Sequence, residues 1–366
     1  MDMDRKLREV CQGFRIYDTY LGHELINVGN VNKTYRVMVR LEDGSEKSFL
    51  VQNLNTYVFK NPVQLMENID KVTEHIRAKN PGKLALHFHH TVDRKTYIED
   101  GANFWRMTNY IPSKTIFKVE DLDVVRNAGL AFGDFQMQLS DFDCSQLFVT
   151  IENFHNTKNR YKMLEQTVAN DPCGKVKEVQ EELDYLFSVR DLACKLTQYH
   201  EDGLIPVRVT HNDTKINNIL FDPVTHEALV VVDLDTVMPG LVGHDFGDAI
   251  RFAANFVEED CPDADRAGGD MDIFRTFAEG FLEKTAMALT DLEIDTLALS
   301  AFTMATELAV RFLDDYIQGS PYFKTLYPEH NLVRARCQIA LAKDMQKKMP
   351  EMEACVRNCV AKAKAK

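Results

Sequence analysis

No apolar run in this 366-residue chain approaches the roughly 18 positions that a membrane helix needs; the best, Ala228 to Val232, is the length of a strand. Met1 to Arg8 is charged and lacks the apolar stretch of a signal peptide. The eight cysteines are scattered, and only Cys355 and Cys359 lie close together. That spacing matches neither a disulfide framework nor a zinc site, so reduced thiols and a cytoplasmic location are expected. Basic residues are also in short supply. Lys and Arg number 43 against 56 Asp and Glu, for a net charge of −13, which argues against nucleic-acid or anionic-membrane partners. A nucleotide remains a possible ligand if a divalent cation offsets the repulsion. No Gly-x-Ser-x-Gly element, Walker-type loop or Rossmann fingerprint occurs. There is no internal repeat, and only the Ala/Lys tail at Ala361 to Lys366 is of low complexity. What is present is ordinary globular composition, 45% hydrophobic and 27% charged, at a length that suggests two or three domains.

The first hundred residues read as strands. Tyr35, Val37, Val39 and Leu41 alternate with Arg36, Met38 and Arg40, Asp43-Gly44 supplies a hairpin turn, and Phe49 to Gln52 returns. Asn61 to Lys79 has helical spacing at Val63, Met66, Ile69 and Val72, and Asn80-Pro81-Gly82 ends it. Leu84 to His90, Lys95 to Ile98 and Asn103 to Met107 follow as further strands. After Ile111-Pro112 long helical patterns take over: Leu122 to Leu139, then Val176 to Leu186 closed by Gly203, then nearly everything from Phe274 onward. One β-rich island, Val207 to Val232, interrupts them. The expectation is an α+β, bilobal protein-kinase-like fold. An N-terminal antiparallel-sheet lobe at 1–111 would be followed by a larger, mainly helical lobe at 112–366, with a cleft between them.

The island concentrates polar residues at the ends of two apolar strands. It reads Val209-Thr210-His211-Asn212-Asp213-Thr214-Lys215-Ile216-Asn217-Asn218-Ile219-Leu220-Phe221, the turn Asp222-Pro223, then Ala228 to Val232 and Asp233-Leu234-Asp235. Phosphoryl transfer needs a carboxylate beside the acceptor hydroxyl and oxygen ligands for magnesium. His211-x-Asp213-x-x-x-x-Asn218, followed by a strand ending in Asp233, supplies those groups in the order kinases use. Asp213 would accept or orient the acceptor's proton, Asn218 and Asp233 would hold Mg2+, and Lys215 could reach the transferring phosphoryl group. Turn capping explains Asp222-Pro223 but not the stacking of acids and amides on adjoining strand ends. Gly29 to Tyr35 could drape over phosphates through backbone amides, although one glycine in a hairpin loop also reads as a plain turn. Asp245 and Asp248 either brace the catalytic loop or, for Asp248, begin a helix at Ala249. His87, His89 and His90 lack a neighbouring ligand at metal spacing and read as edge histidines.

At these residues the chain resembles the aminoglycoside phosphotransferase and choline kinase superfamily, and within it the bacterial N-acetylhexosamine 1-kinases. The resemblance extends through Ala131-Phe132-Gly133-Asp134-Phe135-Gln136, Phe154-His155-Asn156-Thr157, Asp233 to Gly240, Asp245 to Phe252, Arg311-Phe312-Leu313 and Tyr327 to Arg334. It implies ATP- and magnesium-dependent phosphorylation of the C1 hydroxyl of GlcNAc or GalNAc, with Asp213 as base, Asp233 on magnesium, and Arg311 and Tyr322 lining the sugar pocket. Nucleotide contacts are expected at Gly29, Asn32, Thr34, Gln52, Asn109 and Ile111, and acceptor contacts at Asn30, Asp213, Arg311 and Tyr322. Two positions depart from the pattern. Gln52 stands where protein kinases place a phosphate-binding Lys, which leaves that charge to magnesium and Lys215, and Asn30 stands where the family often has His. Other acceptors weighed are choline, which needs an aromatic cage, methylthioribose, a hydroxylated amino acid, and aminoglycosides, for which Glu307, Asp314 and Asp315 offer acids. A non-catalytic scaffold would not need Asp213, Asn218 and Asp233 together, and a two-carboxylate hydrolase would leave Asn218 without a role.

Overall fold

The computed structural model describes residues 2–16, 19–26, 31–101, 103–119 and 121–365. They form two compact units, the first made of Met1–Lys114, Asp141–Glu152 and Val232–Met238, the second of Thr115–Ser140, Asn153–Val231 and Pro239–Lys366.

The first unit is built on an antiparallel sheet of β1 (Thr19–Ile26), β2 (Lys33–Arg40), β3 (Glu46–Asn53), β4 (Tyr97–Asp100) and β5 (Asn103–Asn109) in the order β1-β2-β3-β5-β4. Alternation along the strands sorts side chains to two faces. Tyr35, Val37, Val39, Phe49, Val51, Trp105 and Met107 form one apolar layer, covered by Leu7, Val10 and Cys11 of a helix, α1 (Met3–Gly13). The sequence reading did not anticipate α1, because only three of its buried residues, Leu7, Val10 and Cys11, are apolar and most of its other positions are charged. Thr34, Gln52 and Arg106 point to the opposite face and are direct cross-strand partners, Thr34 with Gln52 and Gln52 with Arg106. Helix α2 (Pro62–Lys79) falls where its periodicity put it, with Pro62 in the first turn. The expected strand at Leu84 to His90 is irregular apart from a bridge between Phe88 and Thr108. The reason is competition for an edge: β4 already pairs along β5 from Asn103 to Arg106. Only the end of β5 is left, where the His89 amide donates to Met107 O at 2.9 Å.

The second unit is mainly helical: α3 (Leu122–Gln138), α4 (Thr157–Asn170), α5 (Gln180–Ser188), α6 (Arg190–Ala193), α7 (Lys195–Glu201), α8 (Val242–Ala253), α9 (Met271–Thr285), α10 (Asp291–Asp295), α11 (Leu297–Ile317) and α12 (His330–Lys364). The single helix expected from Val176 is instead broken into α5, α6 and α7, and Gly203, with φ of +70°, closes the run. Phe246 of α8 is fully buried among Phe274, Phe277 and Phe281 of α9. Helices α3 and α9 meet backbone to backbone, since a Cβ on Gly280 would lie 2.4 Å from Arg126 O. Within the island, strands Ile219–Phe221 and Ala228–Val231 pair antiparallel around the Asp222-Pro223 turn. The α+β class and the order of sheet then helices are as the sequence predicted. Among the described residues, no helix is long and apolar enough to cross a membrane.

Candidate active site

The loop expected to carry the chemistry leaves strand Arg208–Thr210 of one small sheet and enters a second small sheet at Ile219. His211, Asn212, Thr214, Ile216 and Asn218 are buried, whereas Asp213, Lys215 and Asn217 are half-exposed. The alternation follows from how the loop is held. Asp245 on α8 accepts from the backbone amides of His211 at 2.9 Å and Asn212 at 2.7 Å, and from Gln136 Nε2 at 2.7 Å. One turn later Asp248 accepts from the Thr214 amide at 3.1 Å, and Thr214 Oγ1 donates to Asp245 O at 2.5 Å. Both acids lie inside α8 (Val242–Ala253), so the bracing role is the one the structure supports and Asp248 is not an N-cap. Burial pushes the Asp245 carboxyl up. Burial acts the same way on Asp248, but the Arg251 guanidinium beside it outweighs that and holds its pKa below the ordinary carboxylate value.

With its neighbours tethered, Asp213 presents its carboxylate outward. Asn218 Nδ2 donates to Asp213 O at 2.8 Å and to Oδ2 at 3.1 Å, and Lys215 Nζ lies 3.2 Å from Oδ1. The Asp213 charge raises the Lys215 pKa, so this amine is a persistent cation beside the carboxylate. Asn212, at φ of +64°, sits in the left-handed region, which Asn tolerates better than most residues. His155 Nε2 is 2.9 Å from Asn212 O, and His155 Nδ1 is 2.9 Å from Glu307 Oε1. Both partners can only accept, so the ring donates from both nitrogens and is an imidazolium.

Phe154 and α11 build a second cluster in the same unit. The Arg311 guanidinium lies over Phe154 at 5.8 Å and over Phe323 at 5.4 Å. Tyr322, 71% exposed, stands edge-on to Phe323 at 4.8 Å. Asp315 fixes this turn by accepting from the amides of Tyr322 and Phe323 at 2.9 and 3.0 Å. Arg160, which sequence reasoning missed, donates to Phe154 O at 2.9 Å. Its pKa is lowered by burial and then by the neighbouring Arg311 charge.

The remaining expected positions lie in the first unit. Asn32 Nδ2 donates to Asp235 Oδ2 at 2.8 Å, and its Oδ1 accepts from the Asn55 amide at 3.0 Å. Gln52 Nε2 donates to Thr34 Oγ1 at 3.0 Å, while its Oε1 accepts from Arg106 Nε at 2.9 Å. Asn109 uses its side chain on the backbone of residues 85–87, and Ile111 is buried. Gly29 and Asn30 lie outside the described residues. Asp233 is exposed, between a half-buried Val232 and a buried Leu234, and has a left-handed φ of +60°. Such a conformation costs a non-glycine residue on the order of 1–3 kcal/mol and clusters at functional sites. Taken singly, each side chain has donor chemistry that suits magnesium: Asn218 commits its Nδ2 to Asp213 and keeps an amide oxygen, and Asp233 carries a carboxylate, both hard oxygen ligands. Among the described residues no cluster of three His, Cys, Asp or Glu could hold a metal.

Several solved structures share this fold. A microcompartment-associated aminopropanol kinase matches 94% of this chain and 98% of its own at 15% identity, with a TM-score of 0.62. An amicoumacin kinase in complex with AMP-PNP, Ca2+ and Ami matches 95% and 94% at 12% identity and 0.60. The ethanolamine kinase of Plasmodium vivax matches 87% and 82% at 13% identity and 0.55. At these identities the likeness speaks for the fold. The sequence profile of the phosphotransferase enzyme family matches residues 26–280, well over half of the sequence, and the chain therefore belongs to that family.

Proposed function

We propose that this phosphotransferase is a small-molecule kinase that uses ATP and Mg2+ to phosphorylate the anomeric C1 hydroxyl of an N-acetylhexosamine. The observation that carries the kinase reading is the outward Asp213 carboxylate, held by Asn218 and Lys215 on a loop tethered to α8. The acceptor oxygen forms the new P–O bond, its proton passes to Asp213, and ADP leaves. An anomeric hydroxyl is more acidic than an ordinary alcohol, so orientation by Asp213 does much of the work. Lys215 supplies a fixed positive charge to the phosphoryl oxygens. Asn218 and Asp233 would hold magnesium, which when bound neutralises phosphate charge.

The choice of a neutral, hydroxylated acceptor rests on where charges are spent. Glu307 is 1% exposed and engaged by His155 and Thr157. Asp315 is buried on two amides and Asn331 Nδ2, and Asp314 is buried against Gln318. Glu307 and Asp315 are therefore not left to receive the ammonium groups of an aminoglycoside or amino alcohol, and Asp314, whose Oδ1 has no hydrogen-bond partner, is buried. Trp105, 2% exposed in the sheet core, cannot cage a quaternary ammonium. In their place stand Arg311, Arg160 and the exposed Tyr322 ring, suited to a sugar's apolar face and carbonyl oxygen. The strings Asp233 to Gly240 and Tyr327 to Arg334 carry the resemblance to N-acetylhexosamine 1-kinases. A phosphoryl-acceptor panel read by product NMR tests this. A phosphorus-coupled anomeric proton from GlcNAc or GalNAc is expected, and phosphorylation of amino alcohols alone refutes the sugar reading.

A further inference from the structure

Gln52, at the position where a protein kinase has its phosphate-binding lysine, has both ends of its amide occupied by Arg106 and Thr34. The buried cation that engages it is Arg106, one strand over on β5, at 2% exposure. Its fork closes on Asp235: Nη1 donates to Oδ1, and Nη2 to Oδ2 at 3.1 Å. Asn32 adds a third donor to the same carboxylate. Two residues on, Val237 O accepts from Asn68 Nδ2 of α2 at 3.1 Å. The turn that begins at Asp233 is thus pinned at its second and fourth following residues, and its exposed, left-handed first residue is the proposed metal ligand.

We propose that Arg106 is a positioning residue for metal binding: its two-pronged contact with Asp235 fixes the plane of that carboxylate and with it the aim of Asp233. This deepens the kinase reading and rests on it. A buried ion pair is an expensive way to hold a turn, since matched apolar residues hold one as well or better. What the fork adds is angular definition. Residues that orient metal ligands in this manner are worth on the order of 10–100-fold in metal affinity.

The test measures Mn2+, an EPR-visible stand-in for Mg2+, binding to the full chain with saturating ATP, alongside ATP affinity without metal and thermal unfolding. Arg106→Lys keeps the charge and loses the fork. Arg106→Met with Asp235→Leu removes the pair without leaving a charge buried and alone. Both are expected to weaken Mn2+ at least tenfold while metal-free ATP affinity stays within twofold of native. If the pair only supports the fold, the double variant recovers both unfolding temperature and Mn2+ affinity, and the proposal falls. It falls equally if neither variant folds, or if metal-free ATP binding drops in parallel with Mn2+. A native chain that holds no nucleotide at all refutes the kinase reading itself, and this inference with it, whereas native binding with unaltered variants refutes only the inference.

Discussion

Replacing Glu307 by Gln should cost about 3 kcal/mol of stability at pH 7, and the cost should vanish in acid. Glu307 Oε1 is 2.9 Å from His155 Nδ1, and Thr157 Oγ1 donates to Oε2 at 2.7 Å, with the carboxylate side chain 1% exposed and the imidazole 7%. Burial alone would raise the Glu307 pKa. The hydrogen bond and charge of His155, with Thr157, reverse this and hold it at about 2 against an ordinary 4.5. A difference of about 2.5 units at 1.36 kcal/mol each gives about 3 kcal/mol, close to the ~3–5 kcal/mol seen when one partner of a buried pair is removed. The sign follows from the direction. A carboxyl whose folded pKa is depressed contributes above its unfolded value and loses that contribution as pH falls from 4.5 toward 2. His155 is shifted the other way, because Glu307 overcomes the effect of burial. Its share is present below about 6.5 and lost as pH rises through its folded value. Urea unfolding of native and variant protein at several pH values reads the gap directly. A gap below 1 kcal/mol at pH 7, or one that persists unchanged near pH 2, would refute the ion-pair account. Because His155 also donates to the Asn212 carbonyl beside Asp213, kcat should fall with stability in the variant.

Asp213→Ala should lower kcat by on the order of 10²–10⁴ with ATP affinity retained; native turnover by the variant would remove Asp213 from the chemistry. Asp233→Asn should raise the magnesium concentration for half-maximal activity sharply, and an unchanged metal titration would contradict its ligand role. Gly280→Ala should destabilise by about 3 kcal/mol, the upper end for overpacking. Its Cβ would meet Arg126 O at 2.4 Å and Leu130 N at 2.9 Å, and backbone cannot rotate aside as a side chain can; thermal unfolding checks this.

What could be read from the sequence was whatever is local. Asp213, Lys215 and Asn218 fall within six positions, and their spacing is itself the signal. Helix α2 declared itself by period, and the Asp222-Pro223 hairpin by its turn residues. Arg106 did not, because its partner is 129 residues away and a charge in an alternating strand reads as a solvent-facing position. One clue was present: Arg106 lies among Phe104, Trp105 and Met107, where an unpaired charge is costly. The strand expected at Leu84 to His90 had the right composition but too little free edge, which depends on where β4 pairs. The sequence offers Asp245 and Asp248 as braces for the loop, yet the amides they hold lie 33 or 34 residues upstream and no periodicity announces them.

Suspending the loop from α8 also divides labour. Two carboxylates one turn apart, Asp245 and Asp248, set the spacing of the amides above them, so the loop takes its dimensions from helical pitch rather than from its own sequence. Arg311 and Tyr322 belong to α11 and the turn that follows it. On the proposed reading, mutation could redraw the acceptor's outline there without recalibrating the group that receives its proton, and a single scaffold could acquire new alcohols while keeping one way of handling phosphate.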